Sequence, residues 1–292
     1  AAATLVLAGC ATFSADGGLD SVSAMTAERT GQTVQLKKTS EDGGQAESVK
    51  QLLLKPLTAD SAVQIALLNN RALQASLAEL GIAEADLVRA GRMSNPAFGF
   101  GRMREGSDVE IERMISLDIV GLLTIPLRSK IETRRFDQAK VRAASEAVRL
   151  ASDTKKAFIN AVAAQQTAQY MEQVGTAAEA GAELARRMAR VGNWSKLDLA
   201  REQAFYAEAI AEIARARHNA TAAREQLARL MGLDGAQSLA LPERLPDLPD
   251  APKEVQDIER LALEKRLDVQ LARQDAEATA SALGLSRATG FV

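Results

Sequence analysis

"DVEIERMISLDIV", Asp108–Val120, alternates: Val109, Ile111, Ile115, Leu117 and Ile119 fall on one face of an extended chain, and Glu110, Glu112, Met114, Ser116 and Asp118 on the other. Arg113 is the exception on the apolar face. A period of two over this length predicts a strand, half apolar and half acidic. Upstream, "AFGFGRMR", Ala97–Arg104, reads as its partner strand, and "EGSD", Glu105–Asp108, supplies the turn residues. A hairpin is therefore expected over about 97–125. Two strands alone are marginal in water, so this hairpin requires further strands.

Working outward, the period changes to that of a helix. From Thr58 or Asp60, just after Pro56, to about Arg92, the residues Val63, Ala66, Leu67, Leu73, Leu77, Leu80, Leu87 and Val88 keep helical spacing. Asn95-Pro96 and the glycines of "SNPAFGFG" end that run. After Pro126 a helix is expected from about Ser129 to Val191. At 1.5 Å per residue its roughly sixty residues reach about 90 Å, too long to wrap a compact core. A second run, Lys196 to Met231, ends at Gly232. The helices before the hairpin and after the "GNW" break together match the long one, so end to end they would run antiparallel beside it as a rod.

Composition agrees with packed rods. The 292 residues are 47% hydrophobic but only 3% aromatic, so the apolar content is mostly Ala, Leu, Val and Ile. A net charge of −2 and the lack of a basic stripe interleaved with aromatics argue against nucleic-acid binding. There is no His/Cys/carboxylate cluster at metal-ligand spacing, no phosphate loop and no nucleophile elbow, so neither catalysis, nor a metal, nor a cofactor is expected. "GFGRMREG" lacks the spacing and the strand-to-helix context of a dinucleotide fingerprint. His218 sits on a helix without a partner motif.

"LPERLPDLPDAPK" gathers four of the seven prolines and reads as a stiff linker over 242–253. Beyond it, "ALEKRLDVQLARQDAEATASAL" from Ala262 aligns without a gap to "ALLNNRALQASLAELGIAEADL" from Ala66, matching Leu73 to Val269, Gln74 to Gln270 and Leu87 to Leu283. Residues 56–241 then form a first repeat and 254–292 the start of a second, expected to be truncated before its own hairpin.

At the start, Leu7-Ala8-Gly9-Cys10 closes an apolar run and resembles the bacterial lipobox, at which Cys10 becomes the lipid-modified first residue of the mature chain. On that reading 1–10 is a signal remnant without its basic leader, Cys10 carries palmitate-type acylation, and Ala11 suits delivery to the outer membrane. Residues 11–55, rich in Ser, Thr, Gly and Gln, read as an extended tether.

The order of elements, and the segments "LTADSAVQIALLNNRALQAS", "GRMSNPAFGFG", "RVGNWSKLDLAREQAFYAEA" and "AAREQLARLMGL" followed by "LPERLPDLP", resemble the TolC family of outer-membrane efflux channels. The resemblance implies a mainly α fold with a small β part: long antiparallel helical rods forming an α-barrel, plus strand hairpins that build a twelve-stranded transmembrane β-barrel in a homotrimer. It also implies a periplasmic adaptor and an inner-membrane transporter as partners. A spanning strand must belong to a closed barrel, so Val109, Ile111, Ile115, Leu117 and Ile119 would face lipid, and Glu110, Glu112 and Asp118 the lumen.

The break between the long helices reads residue by residue. Val191 closes one helix, Gly192 suits the left-handed C′ position, Ser195 the N-cap of the next, and Asp198 the acid of a capping box. Trp194, the only tryptophan, precedes the N-cap, where it packs on Leu199 as a staple or serves as an exposed anchor. In the family this turn meets the adaptor, so Val191, Gly192, Asn193, Trp194 and Ser195 are the expected contact residues, with Arg186, Arg187 and Arg190 facing acidic partner groups. Asn193-Trp194 departs from the smaller apolar residue usual there. The resulting expectation is a passive exit duct for small molecules or metal ions from the periplasm, lipid-anchored in a Gram-negative outer membrane. A periplasmic adaptor or a soluble coiled-coil scaffold lipoprotein are the alternatives.

Overall fold

A computed structural model describes residues 12–37, 43–106, 108–234, 239–247 and 257–289. Leu7, Ala8, Gly9 and Cys10 lie outside them. The elements are α1 (Leu19–Thr30), α2 (Gly43–Leu53), α3 (Ala59–Asn69), α4 (Arg71–Ala90), β1 (Ala97–Glu105), β2 (Asp108–Ser116), α5 (Ile119–Arg190), α6 (Lys196–Leu230), α7 (Ile258–Lys265) and α8 (Leu267–Thr289). They divide into two compact units, one from the described parts of Ala1–Met25, Ala75–Glu146 and Gln256–Val292, the other from those of Thr26–Gln74 and Ala147–Val255.

The first unit carries the strands. Leu77, Leu80, Glu84 and Val88 recur on one face of α4 and are buried, as are Ile131, Phe136, Val141 and Ala144 on α5. Glu84 is a carboxylate in this interior, and it is satisfied: the Ser14 backbone N–H and the Ser14 hydroxyl both donate to its Oε1 at 2.5 Å. The turn at Gly17-Gly18 has φ of +62° and +80°, and a Cβ on Gly18 would stand 2.7 Å from the Phe136 ring. Residues 12–18 are thus docked on helices rather than extended away from them.

This corrects the tether expected over 11–55, since α1 and α2 both lie inside it. α1 is weakly patterned, and among its residues Val22 and Thr26 are fully buried. One valine and one threonine in a polar helix leave no period to detect, so tertiary contact decides the conformation.

The second unit holds the main core, in which Val49 of α2, Leu57, Ile65 and Ala66 of α3, Phe158 and Val162 of α5, Leu227 of α6, Met231 and Leu239 meet. The described start of the proline-rich stretch, 241–247, lies along it without helix or strand. The Leu57 N–H donates to the Ala240 carbonyl (2.8 Å), and the Leu245 N–H to Gln166 Oε1 (3.1 Å). Here α5 and α6 run antiparallel: Arg224 donates to Gln165 at 2.7 Å, Arg217 pairs with Glu172 at 2.9 Å, and a Cβ on Gly175 would meet Ile213 Cδ1 at 2.4 Å. Ala161, Ala178, Ala182 and Ala185 are buried on α5, and Ala209 and Ala216 on α6. Small side chains bring the two backbones close, which explains a core built with so few aromatics.

Two helix boundaries differ from expectation. The helix expected from Thr58 to Arg92 is divided at Asn70, whose ψ of 119° is extended. Thr58 starts it with a reciprocal capping box to Ser61. At the break, Asn70 Oδ1 accepts the Leu73 N–H at 3.0 Å, and Gln74 Nε2 donates back to the Leu68 carbonyl at 3.2 Å. Asparagine competes for backbone groups in this way, which a run of apolar positions conceals. The same geometry recurs between α7 and α8, where Arg266 has ψ 125° and Gln270 Nε2 donates to the Glu264 carbonyl at 3.1 Å. Asn70 with Arg266, and Gln74 with Gln270, are aligned positions of the repeat.

The long helix begins at Ile119, not Ser129, and contains Pro126. Asp118 fixes the early start, its Oδ1 accepting the Gly121 N–H at 2.6 Å. Proline lacks the N–H that would reach back one turn. In this segment Arg128 donates to the Gly121 carbonyl at 2.8 Å and Thr124 Oγ1 to that of Val120 at 2.9 Å.

The end of α6 is held from outside. Gly232 (φ +67°) and Leu233 donate to the carbonyls of Arg229 and Ala228 in a left-handed cap, while Asn69 Nδ2 donates to the carbonyls of Met231 and Gly232 (3.1 and 2.7 Å) and Asn70 Nδ2 to that of Leu230 (2.9 Å). A Cβ on Gly232 would lie 2.5 Å from the Asn69 carbonyl oxygen. Gly232→Ala combines a left-handed backbone with a clash and is expected to lower stability by about 3 kcal/mol in urea unfolding. At Gly192, where φ is +81° but the space is open, the same change should lower it by about 1–2 kcal/mol.

Candidate functional sites: the strand hairpin and the helical turn

β1 and β2 pair antiparallel with Phe98 opposite Ile115, Phe100 opposite Arg113, Arg102 opposite Ile111 and Arg104 opposite Val109. Those eight residues share one face. The other face carries Ala97, Gly99, Gly101 and Met103 opposite Ser116, Met114, Glu112 and Glu110. Glu105 pairs with Asp108, which leaves a two-residue turn with Gly106 at φ +60°. Every residue of β2 is exposed, Ile115 at 73%, and so are Phe98 (70%) and Phe100 (62%). Among the described residues, neither face of the hairpin is covered.

The structure keeps Val109, Ile111 and Ile115 together on the apolar face and Glu110 and Glu112 together on the acidic one. It removes three expected strand residues. Leu117 follows β2, Ile119 is the first residue of α5, and Asp118 is the N-terminal cap of that helix, with Ser94 Oγ donating to its Oδ2 at 3.3 Å. The alternation ran past the strand because capping is decided by the side-chain oxygen of Asp118, not by hydrophobic period. Sequence reasoning also missed Arg102 and Arg104, which join Arg113 on the apolar face. The signal was present in "FGFGRMR", whose alternate residues Phe98, Phe100, Arg102 and Arg104 must share a side.

At the opposite type of turn, α5 closes as expected. Gly192 at φ +81° donates to the Ala189 carbonyl (3.1 Å), and Asn193 to that of Met188 (3.0 Å). Ser195 caps α6, its Oγ accepting the Asp198 N–H at 3.1 Å. Asp198 returns only a side-chain contact, accepting the Ser195 hydroxyl at 2.7 Å, so one half of the capping box is made. Val191, Gly192, Asn193 and Ser195 are exposed and Trp194 is half-buried. Leu184 (58%) and Leu197 (60%), on the helices that flank the turn, are exposed like Val191 (69%), and nothing in the alanine-rich pattern singled them out.

Arg186 and Arg187 already have a carboxylate within the chain, Glu183, at 3.3 and 2.8 Å. The hydrogen bond from Arg187, then the nearby positive charges, hold Glu183 below the usual carboxylate range. Among the described residues, no group of three or more His, Cys, Asp or Glu side chains could hold a metal ion, and no helix is long and apolar enough to cross a membrane.

No protein-family model and no curated protein matches the chain. Solved structures do. A structure of CusC, concerned with conformational changes accompanying folding and transmembrane channel formation, superposes with a TM-score of 0.65 at 17% identity, over 79% of this chain and 56% of that one. The outer-membrane channel OprN gives 0.59 at 19% identity, over 90% and 60%. The fold is that of the TolC family. A membrane protein from Pseudomonas aeruginosa gives 0.63 at 20% identity, over 79% and 57%. The chain therefore spans less than two thirds of the length of these neighbours. The long helices and the strand hairpin among its described residues are consistent with a fragment of that fold.

Ser195→Ala should destabilise the start of α6 by about 1 kcal/mol. Hydrogen exchange at the Asp198 amide, whose partner is removed, should accelerate while amides in the core of α6 keep their protection.

Proposed function

We propose that this chain belongs to the outer-membrane duct of a tripartite efflux pump: a homotrimer that gives small molecules or metal ions a passive exit from the periplasm. The observation that carries the reading is the hairpin. Nine-residue strands are of the length that spans a bilayer obliquely, and the face of these that carries Phe98, Phe100, Val109, Ile111 and Ile115 is left exposed among the described residues. In hydrocarbon, open strand edges are not tolerated, so such a hairpin requires neighbours in a closed barrel. The TolC-type fold supplies the precedent, since its structural neighbours include outer-membrane channels.

In this reading Phe98, Phe100, Val109, Ile111 and Ile115 face lipid, and Glu110 and Glu112 face the lumen. Residues 56–241 are one repeat with its hairpin, 242–253 join it to a second that begins at 254, and the matching breaks at Asn70 and Arg266 support the duplication. Cys10 carries the lipid anchor, palmitate included. Val191, Gly192, Asn193, Trp194 and Ser195, with Leu184 and Leu197, meet the periplasmic adaptor, which couples the duct to an inner-membrane transporter. The role of the protein is passive passage rather than catalysis, with no cofactor.

Two outcomes test this. The full-length gene product, expressed in a Gram-negative host, is expected in outer membranes after a high-salt wash and as a lipidated trimer by native mass spectrometry in detergent. A monomer released into the soluble periplasm would overturn the duct. Trp194→Ala is expected to leave the trimer intact and to weaken adaptor binding at least tenfold, as for an aromatic interface anchor. An unchanged affinity in calorimetric titration would remove Trp194 from the contact.

A further inference from the structure

The face of the hairpin that carries its apolar residues also carries arginines, in a graded order. The rung nearest the helices is Phe98 with Ile115, wholly apolar, and the next three toward the turn are Phe100 with Arg113, Arg102 with Ile111 and Arg104 with Val109. Successive rungs on one face are about 7 Å apart, so the arginines form a band about 14 Å tall ending at Gly106. All three are exposed. Among the described residues Arg102 and Arg113 have no ion-pair partner, and Arg104 donates only to the Gly106 carbonyl at 3.3 Å. The acidic residues Glu110 and Glu112 stand on the opposite face and cannot reach around the sheet to neutralise them.

We infer that Arg102, Arg104 and Arg113 form a seat for the phosphate of an anionic lipid headgroup in the leaflet reached by the turn. This rests on the barrel reading above, and it replaces a band of three charges buried in hydrocarbon, which would be prohibitive near the bilayer centre. Phe98 and Ile115 mark the hydrocarbon side, and the side chains above them alternate apolar stem and cationic head, the composition of a membrane interface. Guanidinium groups bind phosphate oxygens in a fork, and arginines on adjacent rungs offer more than one fork to the same headgroup. A soluble cover for this face would need acidic groups at matching spacing. A leaflet rich in phosphate supplies the complementary charge along the whole band.

The test uses the full-length protein in detergent, titrated with bisphosphorylated lipid A and, separately, with its dephosphorylated form, and read by native mass spectrometry of bound lipid. Wild-type trimer is expected to retain the bisphosphorylated form at least tenfold more. Each of Arg102→Gln, Arg104→Gln and Arg113→Gln should reduce retention about fivefold, the value of one basic residue at an anionic surface. The triple variant should abolish the preference while remaining a trimer in salt-washed outer membranes. Equal retention of the two lipids by wild type, or an unchanged preference in the triple variant, would overturn the seat and leave the duct standing. A wild-type chain that washes off membranes with salt would overturn the duct first, and the seat with it.

Discussion

A long helix is easily extended and poorly terminated, and the constraint on which this protein depends is how its helix ends are closed. Carbonyls in the last turn of any helix lack intrahelical donors. At the end of α6 the left-handed Gly232 and the Leu233 that follows it each satisfy one of them, and the side-chain amides of Asn69 and Asn70, at the end of α3, satisfy the carbonyls of Leu230, Met231 and Gly232. That arrangement fixes where α6 stops relative to the break between α3 and α4, and the core of Ile65, Phe158, Leu227 and Met231 fills in around it. Because Gly232 lies against the Asn69 backbone, cap and contact are a single feature: neither is formed without the other.

Along the shafts the logic is different. Alanine and glycine at the α5–α6 contact give each residue little area to bury, so adhesion is spread over many positions, and long side chains such as Gln165 with Arg224 and Glu172 with Arg217 bridge at the margin. An exposed ion pair such as Glu172 with Arg217 contributes little by itself. These bridges do favour one register of the two helices over another, which an alanine surface alone leaves weakly specified.

The sequence shows the large elements because their signals are periodic. The strand alternation of residues 108–116, the helical spacing of 63–88 and the Gly192 cap each follow from local rules, and those rules located the hairpin and the helical turn. What escaped was decided by single polar atoms or by contacts distant in sequence. Asp118 converted the end of an apparent strand into a helix cap, Asn70 split an apparently continuous helix, and Glu84 anchored Ser14 in a segment whose composition reads as extended. The acidic face of β2 was evident from one strand, whereas the arginines of β1 could be assigned to the opposite face only once the register joined the two strands. Exposed apolar residues such as Leu184, Val191 and Leu197 carry no period of their own in and beside alanine-rich helices, so the structure alone reveals them.

The uncovered hairpin has a consequence for how this sequence can drift. Since β2 buries none of its residues within the chain, substitutions on either face leave the helical interior untouched and are nearly silent in the fold of a single protomer. Selection on these strands then acts through whatever meets each face, not through the packing of the helical body. Strand residues and helix-cap residues should consequently accumulate changes under two unrelated filters, and variants that differ widely over 97–116 can share one helical body.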